Sequence, residues 1–141
     1  MDLLDVVVAV ANAPVTVLAA AVNAATGARV RLDRHLTVVC EGGLLSDLGL
    51  SSAFTTGNTV NVKRSAVEYF NTYPEILDHE WRHSLQWAAL GLAFLPLYAV
   101  NYALSARLTG GQCWNVFEWH AGFADGHYPC GDALAENSST S

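Results

Sequence analysis

Two hydrophobic periods organise this chain. Residues 6–25 are almost wholly Val, Ala and Leu, with Asn12, Thr16 and Asn23 as polar interruptions. Local rules predict a short helix over residues 2–11. Asn12-Ala13-Pro14 then breaks it and starts a second helix, with Pro14 in the first turn and Gly27 as the stop. From Arg29 the period shortens to two. Val30, Leu32, Leu36 and Val38 stand against polar neighbours, which predicts a strand over residues 29–40 that ends at Gly42-Gly43. Residues 54–63 predict a second strand, with Gly57-Asn58 as a turn or bulge. Beyond Lys63 the helical period returns. Thr72-x-x-Glu75 matches a capping box, and a helix is expected from Thr72 to Leu90 before Gly91 ends it. A further helix should cover residues 94–108, stopped by Gly110-Gly111, and Asn115 should cap a last one through Asp125. The expected class is α+β, helix-rich, with a small antiparallel sheet.

A chain of 141 residues has room for one core, so a single domain is expected over 1–136, followed by a polar tail at 137–141. Seven Lys and Arg against 13 Asp and Glu give a net charge of −6. The basic residues form no stripe, which excludes a phosphate-backbone binder and predicts no nucleic-acid partner. Three cysteines make no C-x-x-C pair. A Cys113–Cys130 bridge is open to this sequence, but buried reduced thiols are the expectation from compartment rules.

Met1-Asp2-Leu3-Leu4-Asp5 is acidic, the opposite of a secretory n-region, so no signal peptide is expected. Two apolar stretches, 6–25 and 87–104, raise the membrane question by length. Asn12, Pro14 and Asn23 in the first, and Pro96 and Asn101 in the second, favour buried helices or surfaces resting on lipid over spans. The expected location is cytoplasmic or peripheral to a membrane.

His79-Glu80-Trp81-Arg82-His83 matches H-E-x-x-H inside a predicted helix. Two His four apart project from one face, about one turn apart, so both imidazoles reach a single ion. Neutral imidazole suits Zn²⁺. Glu80, on the rim of that face, is placed to take a proton from a water activated by the ion. A catalytic zinc needs a third protein ligand, and the last predicted helix offers Glu118, His120 and Asp125. Glu118 stands between Phe117 and Trp119, an expensive place for a carboxylate unless it is paired or metal-bound. His120 points to a different face and reads as core or support to the ligands. Asp125, two turns after Glu118, is placed to accept from a ligand imidazole.

These residues resemble a known group. His79-Glu80-x-x-His83 with a Glu on a later helix is similar to the gluzincin division of zinc metallopeptidases. The stretch Asp78 to Trp87, Leu95-Pro96-Leu97-Tyr98, and Asn115-x-Phe117-Glu118-x-x-Ala121-Gly122 resembles small bacterial proteins with an HExxHxxQ helix and an N-x-F-E helix. The likeness covers residues 77–128, under half of the chain. It implies a zincin-like fold, a peptide or protein substrate, His79, His83 and Glu118 as zinc ligands, and Glu80 as general base. One departure stands out. Gluzincins often carry Asp one turn after the ligand Glu, and here that position is Gly122.

A peptidase also needs an oxyanion donor and an edge strand for the substrate backbone. His127 and Tyr128 are preferred over Tyr102 and His120 as donors. Asn58, Thr59 and Asn61 of the second strand are polar enough to face a cleft. Trp81, Trp87, Trp114 and Trp119 read as core packing around the metal-bearing helices. Two alternatives remain open: a non-catalytic zinc-containing interaction module, and a membrane-associated protease.

Overall fold

The computed structural model describes residues 1–130; the expected domain end at 136 and the tail 137–141 lie outside the described residues. Asp2 caps α1 (Leu3–Ala25) through a reciprocal box. Its carboxylate accepts from the Asp5 N–H, and the Asp5 carboxylate accepts from the Asp2 N–H. The expected break at Asn12-Ala13-Pro14 does not occur, and Pro14 lies inside one continuous helix of 23 residues. A mid-helix proline costs on the order of 3 kcal/mol through its missing N–H and its ring clash. Distant partners offset that cost. Asn12 Nδ2 donates to the Ser84 carbonyl at 2.9 Å, and the Thr16 hydroxyl accepts from the Asn58 N–H at 2.8 Å.

The predicted strand 29–40 is two strands, β1 (Arg29–Leu32) and β2 (Val38–Glu41), paired antiparallel with Arg29 opposite Glu41. A single 3-10 turn, Arg34–Leu36, reverses the chain between them, and His35 takes φ +57° there. The second predicted strand is a hairpin of β3 (Ala53–Thr56) and β4 (Thr59–Val62), turning at Gly57-Asn58. Strand order is β1-β2-β4-β3, and β2 and β4 run parallel. The sheet is therefore mixed, not antiparallel. The short α2 (Leu44–Leu48) crosses over from β2, and β4, buried at all four residues, takes the inner position and leaves β3 at the edge.

Alternation along β4 divides the sheet's two faces. Val60 and Val62, with Val39 of β2, pack under Phe70 of α3 (Val67–Thr72) and Ile76 and Leu77 of α4 (Glu75–Leu90). Thr59 and Asn61 meet α1 instead. The Thr59 hydroxyl bonds the Thr16 carbonyl at 3.1 Å, and Asn61 Oδ1 accepts from Asn23 Nδ2 at 2.8 Å. Asn58 Nδ2 donates to the Leu36 carbonyl. All three polar residues expected to face a cleft are buried in these contacts.

The expected capping box at Thr72 is also replaced. Thr72 ends α3 and its hydroxyl donates to the Glu68 carbonyl, so α4 starts at Glu75 without a side-chain cap. Gly91 ends α4 as expected, and α5 (Phe94–Thr109) stops at Gly110 in the left-handed region. Asn115 caps α6 (Val116–Ala121), its Oδ1 accepting from the Phe117 and Glu118 N–H groups. That helix ends at Ala121, short of Asp125, because Gly122 turns to φ +98°. Cys113 and Cys130, on either side of α6, form a disulfide, which overturns the expectation of reduced thiols for that pair; Cys40 is free and buried.

Candidate metal centre

His79 and His83 stand one turn apart on α4, and each ring is held at Nδ1. The His79 Nδ1 lies 2.8 Å from the Gly122 carbonyl, and the His83 Nδ1 lies 2.8 Å from Gln86 Oε1. Both partners only accept, so both Nδ1 atoms carry hydrogen, and Nε2 is the nitrogen left to face a metal ion. Both Nε2 atoms face the same oxygen, Glu118 Oε2 of α6, at 3.0 and 3.3 Å. The other carboxylate oxygen accepts from the Tyr98 hydroxyl of α5. One ligand atom from each of His79, His83 and Glu118 lies within 4.8 Å of the others, and all three residues are buried. This group can hold a metal ion.

The electrostatics favour a cation. Burial works against a charged His83, but the hydrogen bond and charge of Glu118 outweigh it and raise its pKa to about 9. Burial likewise opposes ionisation of Glu118. Bonds from His79 and His83, the His83 charge and the Tyr98 hydroxyl nonetheless hold its pKa far below the usual carboxylate range. Burial, then the charges of Glu118 and Glu80, pushes the Tyr98 and Tyr128 hydroxyls up, so both remain protonated donors. The negative charge of Glu118 and Glu80 that holds a proton on His83 in the metal-free protein is the charge that would face a divalent ion taking that proton's place.

Glu80 lies on the sheet side of α4. Its carboxylate accepts from the Thr55 hydroxyl of β3 at 2.7 Å. Trp87 is buried on the same side, and its indole N–H donates to the Thr55 carbonyl at 3.1 Å. Strand β3 is the sheet edge nearest the site, and its Thr55 acceptor is taken by that indole.

Tyr128 stands at the site, with its ring centroid 6.0 Å from that of His79. The other preferred donor, His127, does not. With φ +58° it turns away to bond the Tyr69 hydroxyl and the Glu75 carboxylate. Asp125 does not orient a ligand imidazole either. The Arg82 guanidinium holds it at 2.7 Å and also donates to the Ala121 carbonyl at 2.5 Å. The Gly122 carbonyl takes the orienting role at His79. A side chain at 122 would be strained at φ +98° and would meet Arg82 Nη1 at 2.9 Å. A backbone oxygen thus stands at His79 Nδ1, where a carboxylate was expected.

His120 is one step removed from the ligands. Gln86 Nε2 lies 3.1 Å from its Nδ1 and donates to the Phe117 carbonyl, while Gln86 Oε1 holds His83. Gln86 is the Gln of the HExxHxxQ stretch, to which the sequence assigned no role. Its spacing, three residues after His83, was the available signal. Tyr98, quoted only within the Leu95-Pro96-Leu97-Tyr98 likeness, and Thr55 were given no role from the sequence. Trp87 is core as expected and Trp81 stacks on His35, but Trp114 and Trp119 are exposed. Gly126 seats the His79 ring: a Cβ there would fall 2.5 Å from His79 Cε1. No family model, no curated protein and no solved structure matches this chain.

Proposed function

We propose that the chain is a zinc-dependent hydrolase of the zincin type, cleaving peptide bonds, with His79, His83 and Glu118 as ligands and Glu80 as general base. The observation that carries this reading is the pair of Nε2 atoms fixed by their Nδ1 bonds and aimed at one buried carboxylate oxygen. Imidazoles oriented through Nδ1, with Nε2 aimed at a common point, are what a zinc site needs before the metal arrives. Zinc bound there supplies Lewis acidity, lowering the pKa of water and polarising a carbonyl. The Glu80 carboxylate takes a proton from the attacking water and returns it to the leaving amine. The Thr55 hydroxyl holds that carboxylate in place. Tyr128, protonated and beside His79, is the donor for the developing oxyanion.

The test is elemental analysis beside hydrolysis of a mixed fluorogenic peptide set. Glu80→Gln should retain zinc and lose hydrolysis, whereas His83→Ala and Glu118→Ala should lose the metal. Undiminished hydrolysis by Glu80→Gln removes Glu80 from the mechanism, and full zinc occupancy in Glu118→Ala removes the ligand assignment.

A second reading is a non-catalytic zinc module. It is favoured by the burial of His79, Glu80, His83 and Glu118 and by the Trp87 indole on the sheet edge. It predicts stoichiometric zinc without hydrolysis in the wild type, and a loss of folding rather than of activity when zinc is removed.

A further inference from the structure

Helix α1 is built with its polarity reversed for a helix in water. Its buried residues are Asp5, Val8, Asn12, Ala19 and Asn23, three of them polar. Its exposed stripe runs through Val7, Val10, Val17, Leu18 and Val22 at helical spacing. A solvated helix arranges these faces the other way. Helix α5 departs further. Only Phe94, Tyr98, Asn101 and Ser105, spaced four, three and four, turn inward; every other residue of the helix is exposed. Leu95 (52%), Val100 (60%), Leu104 (51%) and Leu108 (64%) stand on its outer faces. The most apolar 18-residue windows of α1 and of the helical run Glu75–Thr109 are only 22% and 11% buried, which separates both from core helices of equal hydropathy.

We propose that the outer faces of α1 and α5 sit in the acyl region of a lipid bilayer, so that the protein is held in one leaflet. A second protein chain covers one side of a helix. The apolar surface of α5 extends around most of its circumference, which liquid acyl chains cover and a single rigid partner does not. Residues 6–28 and 84–106 are each 23 residues without a charged side chain. Just beyond each run stand Arg29 and Arg107, and the exposed Trp114 and Trp119 follow α5, an interfacial arrangement.

The sheet keeps α1 from crossing the membrane. Thr16 and Asn23 bond Thr59 and Asn61 along β4, so α1 lies lengthwise on a sheet whose edge strand β1 is open among the described residues. Open sheet edges are not tolerated in hydrocarbon, so the sheet stays in water and α1 lies along the surface. The inward stripe of α5 carries Tyr98 to Glu118, which makes the helix that meets lipid also a wall of the metal centre.

The experiment is density-gradient flotation of the full chain with phosphatidylcholine vesicles, a neutral lipid that removes charge attraction as an explanation. The wild type should float and stay bound in high salt. Replacing Leu95, Val100 and Leu104 by Gln should cut partitioning by about a thousandfold, at roughly tenfold for each large apolar side chain withdrawn. A circular-dichroism spectrum and a cooperative melt like those of the wild type show that the variant has folded; if it has not, Val10→Gln with Val17→Gln on α1 replaces it under the same criterion. Wild-type protein that stays with the dense fraction overturns the proposal, whether light scattering then finds a dimer or a monomer. A folded variant that floats as well as the wild type also overturns it. Flotation of chelator-stripped protein is run in parallel, so a failure of the metal reading leaves this result standing by itself.

Discussion

Gln86→Leu probes how the proposed metal centre is held without touching a proposed ligand. The wild-type side chain accepts from His83 Nδ1 at 2.8 Å and donates to the Phe117 carbonyl at 2.9 Å. Leucine fills a similar volume and does neither. His83 is buried, so water does not replace the lost acceptor, and an unpaired buried donor costs about 1–3 kcal/mol. The metal-free ring escapes this cost by releasing its Nδ1 proton and keeping the one at Nε2 that faces Glu118, 3.3 Å away. Zinc must then reverse that tautomer before it binds. The expected loss of zinc affinity is about 10- to 100-fold, or roughly 1.4–2.7 kcal/mol. Competition with a chromophoric chelator measures it, and thermal unfolding of the stripped protein reports stability separately. Gln86→Glu separates the two bonds, because it keeps an acceptor for His83 and loses the donor to Phe117. Its affinity should match or exceed that of the wild type while the stripped protein melts lower. The reasoning is refuted if Gln86→Leu binds zinc within about twofold of the wild type, or if both variants weaken equally.

Three further outcomes follow from particular contacts. Gly126→Ala places a Cβ 2.5 Å from His79 Cε1 and 2.7 Å from its Nδ1, so the ring or the loop must move; zinc affinity should fall at least about tenfold, and an unchanged titration would remove the loop from the site. Asn23→Ala leaves Asn61 Oδ1 and the Ser46 N–H without their partner in a buried interface; urea unfolding should show a loss of about 2–5 kcal/mol, and a loss below about 1 would mean the interface repacks. Burial opposes ionisation of Asp5, but the Asp2 N–H and His35 win and lower its pKa, while the His127 bond lowers that of Glu75. Both folded values lie under the unfolded ones, so this stabilisation is present above about pH 4 and disappears as pH falls through the folded values. The urea midpoint should drop through that acid range, less steeply in Glu75→Gln, and a flat profile there would deny both contacts a role.

What the sequence determined by itself is what depends on neighbours within about one helical turn. Spacing put His79 and His83 on one face of α4, because a four-residue step is close to one turn. Asn115 as a cap and the glycine stops after α4 and α5 follow from backbone groups only a few residues apart. Gly57-Asn58 was legible as a turn, though not that it reverses β3 onto β4. Glu118 was legible because a carboxylate between two aromatics demands a partner, but the sequence alone could not bring it to the imidazoles.

Tertiary structure decided the rest. Pro14 is tolerated in α1 because Ser84 and Asn58, far along the chain, bond the residues around it. The parallel β2–β4 pair arises from which strand of a hairpin is the more buried, a comparison across the whole sheet. Gly122 reads as a missing aspartate until its carbonyl is seen on His79. Tyr98 joins Glu118 from twenty residues away, through a helix whose own pattern does not mark its inward side. The outward-facing valines of α1 make the same point. Hydropathy sees an apolar helix, and only the packed chain shows that its few polar residues are the ones turned inward, each to a partner that local spacing does not encode.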